Sequence, residues 1–149
     1  MDLTDFIPNI RQLSFIPHIR DLAIAYLLAM PIGWNREHEE RSAGLRTFPL
    51  VAIAACGFIQ AMEAFLVGEP DAASRVVAGV ITGIGFIGGG AILKSGGEVH
   101  GTATAAALWA TGAIGVGVAL GQYDVAVVIC LFTAVTLFLL GRFKEKART

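Results

Sequence analysis

Residues Val76–Leu93 read VVAGVITGIGFIGGGAIL, a run without a single charge. Its 18 residues come close to the ~20 mainly apolar residues that a membrane-spanning helix needs. Six of them, all between Gly79 and Gly90, are glycines. Glycine inside an ordinary helix costs roughly 1 kcal/mol against alanine. A membrane helix keeps so many where its backbone must come close to something, either another helix or a bound solute. Function is therefore expected around this segment.

Composition extends that reading to the whole chain. Of its 149 residues, 55% are hydrophobic and only 15% charged, and the mean hydropathy is +0.68. Soluble domains carry about 25% charged residues. Between Val76 and Leu140 the ionisable side chains reduce to Lys94, Glu98, Asp124 and His100, apart from Tyr123 and Cys130. This pattern predicts an integral membrane protein whose first partner is the lipid bilayer. A net charge of −1, with no clustered Lys/Arg face, argues against nucleic acid as a partner. Cys56 and Cys130 lie in apolar segments without paired spacing, which reads as buried free thiols rather than a disulfide or metal site.

Along the chain, Leu3, Phe6, Ile7, Ile10 and Leu13 recur at helical spacing behind Asp5 as N-cap. This predicts a short interfacial helix over residues 1–17 rather than a cleaved signal peptide. Five apolar segments follow: Ile19–Trp34, Phe48–Val67, Arg75–Leu93, Thr102–Leu120 and Tyr123–Leu140. The first is the shortest in its clean part. Leu22–Trp34 covers only ~20 Å at ~1.5 Å per residue, so it spans if Arg20 and Asp21 reach the headgroups. The expected fold is all-α: a polytopic transmembrane bundle of about five spans, a single domain over 1–149. Its parts are the interfacial helix, a membrane bundle at 18–141 and a basic cytoplasmic tail at 142–149. Eight Lys/Arg fall on the side of the tail and three on the other. The positive-inside rule then puts the C-terminus in the cytoplasm whether or not the first segment spans, and with five spans the N-terminus is expected outside.

Side-chain size suggests an arrangement. The fourth span is almost all Ala, Gly and Thr apart from Trp109, whereas the fifth, VAVVICLFTAVTLFLL, is bulky and suited to lipid. Close packing of small residues drives helix association in membranes, so spans three and four are expected at the centre. Gly83-x-Gly85-x-x-Gly88 matches a dinucleotide fingerprint by letters only, because that motif needs a preceding strand and a following soluble helix. Arg36-Glu37-His38-Glu39-Glu40-Arg41 alternates in sign and reads as a solvated loop. No catalytic, metal or cofactor site is expected, and no enzyme.

Polar residues at span ends carry more information. Thr47 reads as the N-cap of the second span with Pro49 in its first turn. Arg46 then faces the positive end of the helix dipole, and Glu37, a lipid phosphate or a bound anion should compensate it. Arg75 stands in the same relation to the third span, with Ser74 as N-cap and Asp71 as a partner; simple headgroup anchoring is the alternative for both arginines. Glu63, about one turn inside the far end of the second span, is an intramembrane carboxylate and a functional candidate by default. Thr82 is a polar group in the middle of the glycine run.

Taken in order, Gly33…Arg36-Glu37, Ala43-Gly44-Leu45-Arg46-Thr47, Arg75…Gly83-Ile84-Gly85-Phe86-Ile87-Gly88-Gly89-Gly90 and Thr104-Ala105-Ala106…Leu108-Trp109 resemble the MgtC/SapB family of bacterial inner-membrane proteins. The resemblance runs from about Gly33 to Gly121. It implies a small multi-span protein linked to growth in low magnesium, and it marks Arg36, Glu37, Arg46, Thr47, Arg75, Gly83, Gly85, Gly88, Thr104 and Trp109 as site candidates. The chain departs from the family pattern at Ala72, Gly79, His100 and Ala103, where polar residues are usual. Two functions follow. One is a modulator of membrane partners or ion homeostasis, acting through close helix packing with itself or another membrane protein. The alternative is an oligomeric transporter or channel with the glycine run as a broken helix.

Overall fold

Ala25, Ala29 and Ile32 recur at helical spacing, and all three are fully buried. They lie on α1 (Phe15–His38), the first helix of a computed structural model that describes residues 15–39, 42–95 and 97–141. The chain continues through α2 (Thr47–Leu66), α3 (Pro70–Gly90), a hairpin of β1 (Leu93–Ser95) and β2 (Glu98–His100), α4 (Thr102–Ala119) and α5 (Tyr123–Val135). A π-helical turn, Thr136–Leu140, prolongs α5. Helices dominate because a bilayer leaves backbone N–H and C=O groups no partner but each other. Of the expected interfacial helix, residues 1–14 lie outside the described residues, and 15–17 form the start of α1; the basic tail from 142 on also lies outside.

Among the described residues, three helices are long and apolar enough to cross a membrane: Pro70–Gly90, Thr102–Ala119 and Tyr123–Leu140. Thr47–Glu63 is a shorter apolar helix. The first helix runs 24 residues, ~36 Å at ~1.5 Å per residue, which is longer than its clean apolar part suggested.

The centre is α4. It touches all four other helices, and Thr104, Ala107, Leu108, Thr111, Gly112, Ile114, Gly115, Gly117 and Val118 are buried along it. Glycine permits this crowding. A Cβ on Gly115 would run into the Ala52 carbonyl oxygen and Ala55 of α2, and one on Gly112 would overlap the side chain of Ile84 from α3. The closest helix pair therefore joins α2 to α4 across two small surfaces.

The glycine-rich α3 does not share the centre. Only Ile84 and Gly88 of it are buried. It packs along α4, with Gly88 set against the Ala105 backbone, and touches α2 only lightly. A Cβ on Gly79, Gly83, Gly85, Gly89 or Gly90 would meet nothing within 4 Å among the described residues. The expectation that spans three and four together form the middle is corrected to α4 alone. Small residues announce close approach but not to what.

Local signals were also overridden. Helix α2 begins at Thr47 itself, and the preceding Arg46 already has helical backbone angles, so Thr47 is not an N-cap. Helix α3 begins at Pro70, whose fixed φ suits a first turn, and the Ser74 hydroxyl inside it donates to the Asp71 carbonyl at 2.9 Å. The turn between spans three and four is a hairpin pairing Leu93 with His100. Gly101 closes it at φ 86°, where a Cβ would strike the Ala91 carbonyl oxygen.

Candidate functional site

The motif residues Gly33, Arg36, Glu37 and Ala43 to Thr47 come together where α1 ends and α2 begins. Gly33 lets α1 pass close to the connecting loop, since a Cβ there would lie 3.2 Å from the Leu45 Cα and 3.3 Å from the Phe48 Cβ. One turn on, Arg36 is buried, only 4% exposed, and its guanidinium donates to the Asn35 side-chain oxygen and, at 3.0 Å, to Glu39. The Glu39 carboxylate in turn lies under Gly141, where a Cβ would stand 2.9 Å from it. Thus the pair sits where the end of α1 approaches the end of the α5 rod.

Glu37 points the other way, into the loop. Its carboxylate accepts the Leu45 N–H at 3.1 Å and fills the space where a Cβ on Gly44 would sit, so a side chain there would have to push the carboxylate off its partner. The Gly44 carbonyl accepts the Thr47 and Phe48 N–H groups at 2.9 and 3.1 Å. The positive end of α2 is thereby met by a carboxylate, as the dipole requires. Arg46 itself stays exposed and forms no ion pair among the described residues. Gly44→Ala is expected to destabilise the protein by about 1–3 kcal/mol, the usual range for overpacking, in a detergent thermal melt. Adding it to Glu37→Ala should do little more, and equal losses in both backgrounds would show that Glu37 is not what it strikes.

The opposite end holds a second polar cluster that sequence reasoning missed. Asp21 is buried near the start of α1 and accepts from three side chains. Tyr123 Oη of α5 and Arg20 Nε both donate to Oδ1 at 2.8 Å, and Gln60 Nε2 of α2 donates to Oδ2 at 3.1 Å. Arg20 also donates to the Tyr123 oxygen at 2.9 Å, with its guanidinium 5.8 Å from the ring centroid. Asp21 therefore does not merely snorkel; it joins three helices. Its signal in the sequence was a carboxylate beside an apolar run, with Gln60 as a second polar residue in another.

The remaining candidates lie apart. Glu63 and Arg75 are exposed near the α2–α3 connection, and Arg75 makes no ion pair with Asp71 among the described residues. The Thr82 hydroxyl is exposed and returns to the Ala78 carbonyl at 2.8 Å. Thr104 is buried in the first turn of α4, on the helix that meets Gly88. Trp109 is 56% exposed and borders a cleft of about 320 Å³ with Ile81 and Leu120. Between α2 and α3 runs a larger groove, about 710 Å³, walled by apolar residues and bordered by Gly79 and Gly83, with Arg46 and Thr47 in its lining.

A helical bundle with apolar walls, closed at each end by paired polar side chains, defines a polytopic membrane protein. The family model for the MgtC family matches residues 22–146. Protein MgtC of Salmonella typhimurium (strain LT2) is 43% identical over 113 residues, 76% of this chain and 47% of that relative. Protein MgtC of Brucella abortus (strain 2308) is 42% identical over 111 residues, 74% of this chain and 46% of the relative. The chain belongs to the MgtC family, and with its apolar helices it is an inner-membrane protein. It spans about half the length of the curated relatives it matches. No solved structure matches it.

Proposed function

We propose that the chain is a regulatory membrane protein that acts by packing α3 against a second copy or another membrane protein, serving ion balance when magnesium is limiting. On this reading it is not an enzyme. Five helices cross the inner membrane, with the C-terminus in the cytoplasm and the N-terminus outside. Membership of the MgtC family supports the setting. The observation that carries the mode of action is the outer face of α3. Ala78, Thr82, Gly85 and Gly89 share one side of the helix, all exposed, and a Cβ on either glycine would meet nothing within 4 Å among the described residues. Small residues at that spacing allow two membrane helices to approach closely.

Transport would need polar groups along a path, whereas the α2–α3 groove is apolar apart from its Arg46–Thr47 end. A magnesium site would want several oxygen ligands. The test joins two measurements. In a strain lacking its own copy, Gly85→Leu is expected to lose support of growth in low magnesium while membrane levels stay normal, and Val127→Leu on α5 is expected to keep it. Purified wild-type protein in liposomes should pass no Mg²⁺ above empty vesicles. Flux that Gly85→Leu stops would replace this reading with transport.

A further inference from the structure

We propose that the groove between α2 and α3 binds an anionic phospholipid, with its phosphate on Arg46 and one acyl chain laid along the two helices. This inference concerns a different side of α3 from the face assigned to a protein partner. Gly79 and Gly83 border the groove, while Gly85 and Gly89 face away from it.

The shape of the groove suits a long apolar occupant. Its lining extends along α2 from Thr47 to Met62, a rise of ~22 Å at ~1.5 Å per residue. At about 710 Å³ it is an open trough whose walls are apolar along that length, so a hydrocarbon chain can lie in it lengthwise. One leaflet is half of the ~30 Å hydrocarbon core, so a chain anchored at one end of the groove fits with length to spare. Leu50, Ala54 and Phe58 form the α2 wall, and the absence of Cβ atoms at Gly79 and Gly83 keeps the α3 wall low.

Charge selects the headgroup. Arg46 and Thr47 lie at one end of the groove, and Arg46 is the one charged residue among its lining. Three nearby backbone donors are already engaged, Leu45 by Glu37 and both Thr47 and Phe48 by the Gly44 carbonyl. The Glu37 carboxylate also offsets the helix end. Attraction for an anion therefore rests on the Arg46 guanidinium, which offers a forked pair of N–H donors suited to a phosphate. The acyl chain gives no selectivity, because leaving lipid for an apolar groove gains little. Preference among lipids should thus trace to one side chain.

The test is native mass spectrometry of the delipidated full chain in detergent, titrated with palmitoyl-oleoyl phosphatidylglycerol or phosphatidylcholine. Wild type is expected to bind one phosphatidylglycerol roughly 5-fold more tightly than phosphatidylcholine, the share of one basic residue near an anionic lipid. Arg46→Gln, at an exposed position, should bring that preference to about one. Ala54→Trp and Gly83→Leu, which fill the groove from opposite walls, should lose both lipids while retaining helical circular dichroism. Inorganic phosphate should not displace the lipid. Equal binding of the two lipids by wild type, an unchanged preference in Arg46→Gln, or displacement by phosphate alone would overturn the proposal. So would a wild-type dimer that Ala54→Trp dissociates without changing lipid retention, since that would make a second copy the occupant. These readouts are made on purified protein and do not depend on the growth phenotype of Gly85→Leu.

Discussion

Gly115→Val is expected to abolish the folded bundle, whereas Gly85→Ala is expected to leave it as stable or to add up to about 1 kcal/mol through helix propensity. The two glycines look alike in sequence and differ wholly in surroundings. A first carbon on Gly115 meets the Ala52 carbonyl oxygen and the Ala55 side chain of α2. Neither is a flexible tip that can swing aside, because one belongs to a helix backbone and the other is bonded directly to it. Valine adds two methyl groups to that collision. Overpacking in an adaptable core costs about 1–3 kcal/mol, and a forced separation of two helices lies above that range. It would remove much of a total stability that for a domain is only ~5–15 kcal/mol. Thermal and SDS-titrated unfolding by circular dichroism would measure both variants. A Gly115→Val protein that melts with wild type would mean that α2 and α4 do not cross there.

The second large effect falls on the Asp21 cluster. Asp21→Ala is expected to destabilise by about 2–3 kcal/mol, the range for removing hydrogen bonds to a charged group. Arg20 contributes little to this, because its side chain is 58% exposed and can turn to water. The loss comes from Gln60 and Tyr123, which would keep their donors without an acceptor. Tyr123→Phe removes one bond and should cost about 1 kcal/mol. In the double variant the costs should fall short of the sum, as they do for residues sharing one network. Additive costs would mean that Asp21 and Tyr123 act separately, and an Asp21→Ala protein of wild-type stability would deny the cluster any structural role.

These contrasts locate what could be read from the sequence. The long apolar helices were visible because a bilayer forces about 20 apolar residues into each span, and no tertiary detail changes that. Ends were less secure. Ser74 offered a capping signal, but Pro70 started the helix earlier and left Ser74 inside its first turns. The Arg36–Thr47 module was legible only in part: a short loop must bring the end of one helix to the start of the next, but Arg36, read as part of a solvated loop, is buried on α1. The pairing of Asp21 with Tyr123 was not, since it crosses 102 positions of the chain and each residue alone looks like a headgroup anchor. The glycine run misled about the centre for a related reason. Composition reports that a backbone is approached closely, and Gly112 and Gly115 are approached from within the chain while Gly85 and Gly89 are not.

The placement of α4 in the middle also sets the order in which the bundle can be built. Ile84 packs over Gly112 and Ala52 against Gly115, so α2 and α3 both leave the ribosome before the α4 surface that meets them exists. Ile84 and Gly112 are 28 residues apart, which at ~5–20 residues per second is a wait of roughly 1–6 s. During that interval α3 stands in lipid with its α4-facing side bare, held by the light contact with α2. Assembly then closes around the fourth helix, and the segment richest in glycine is held by a surface made after it.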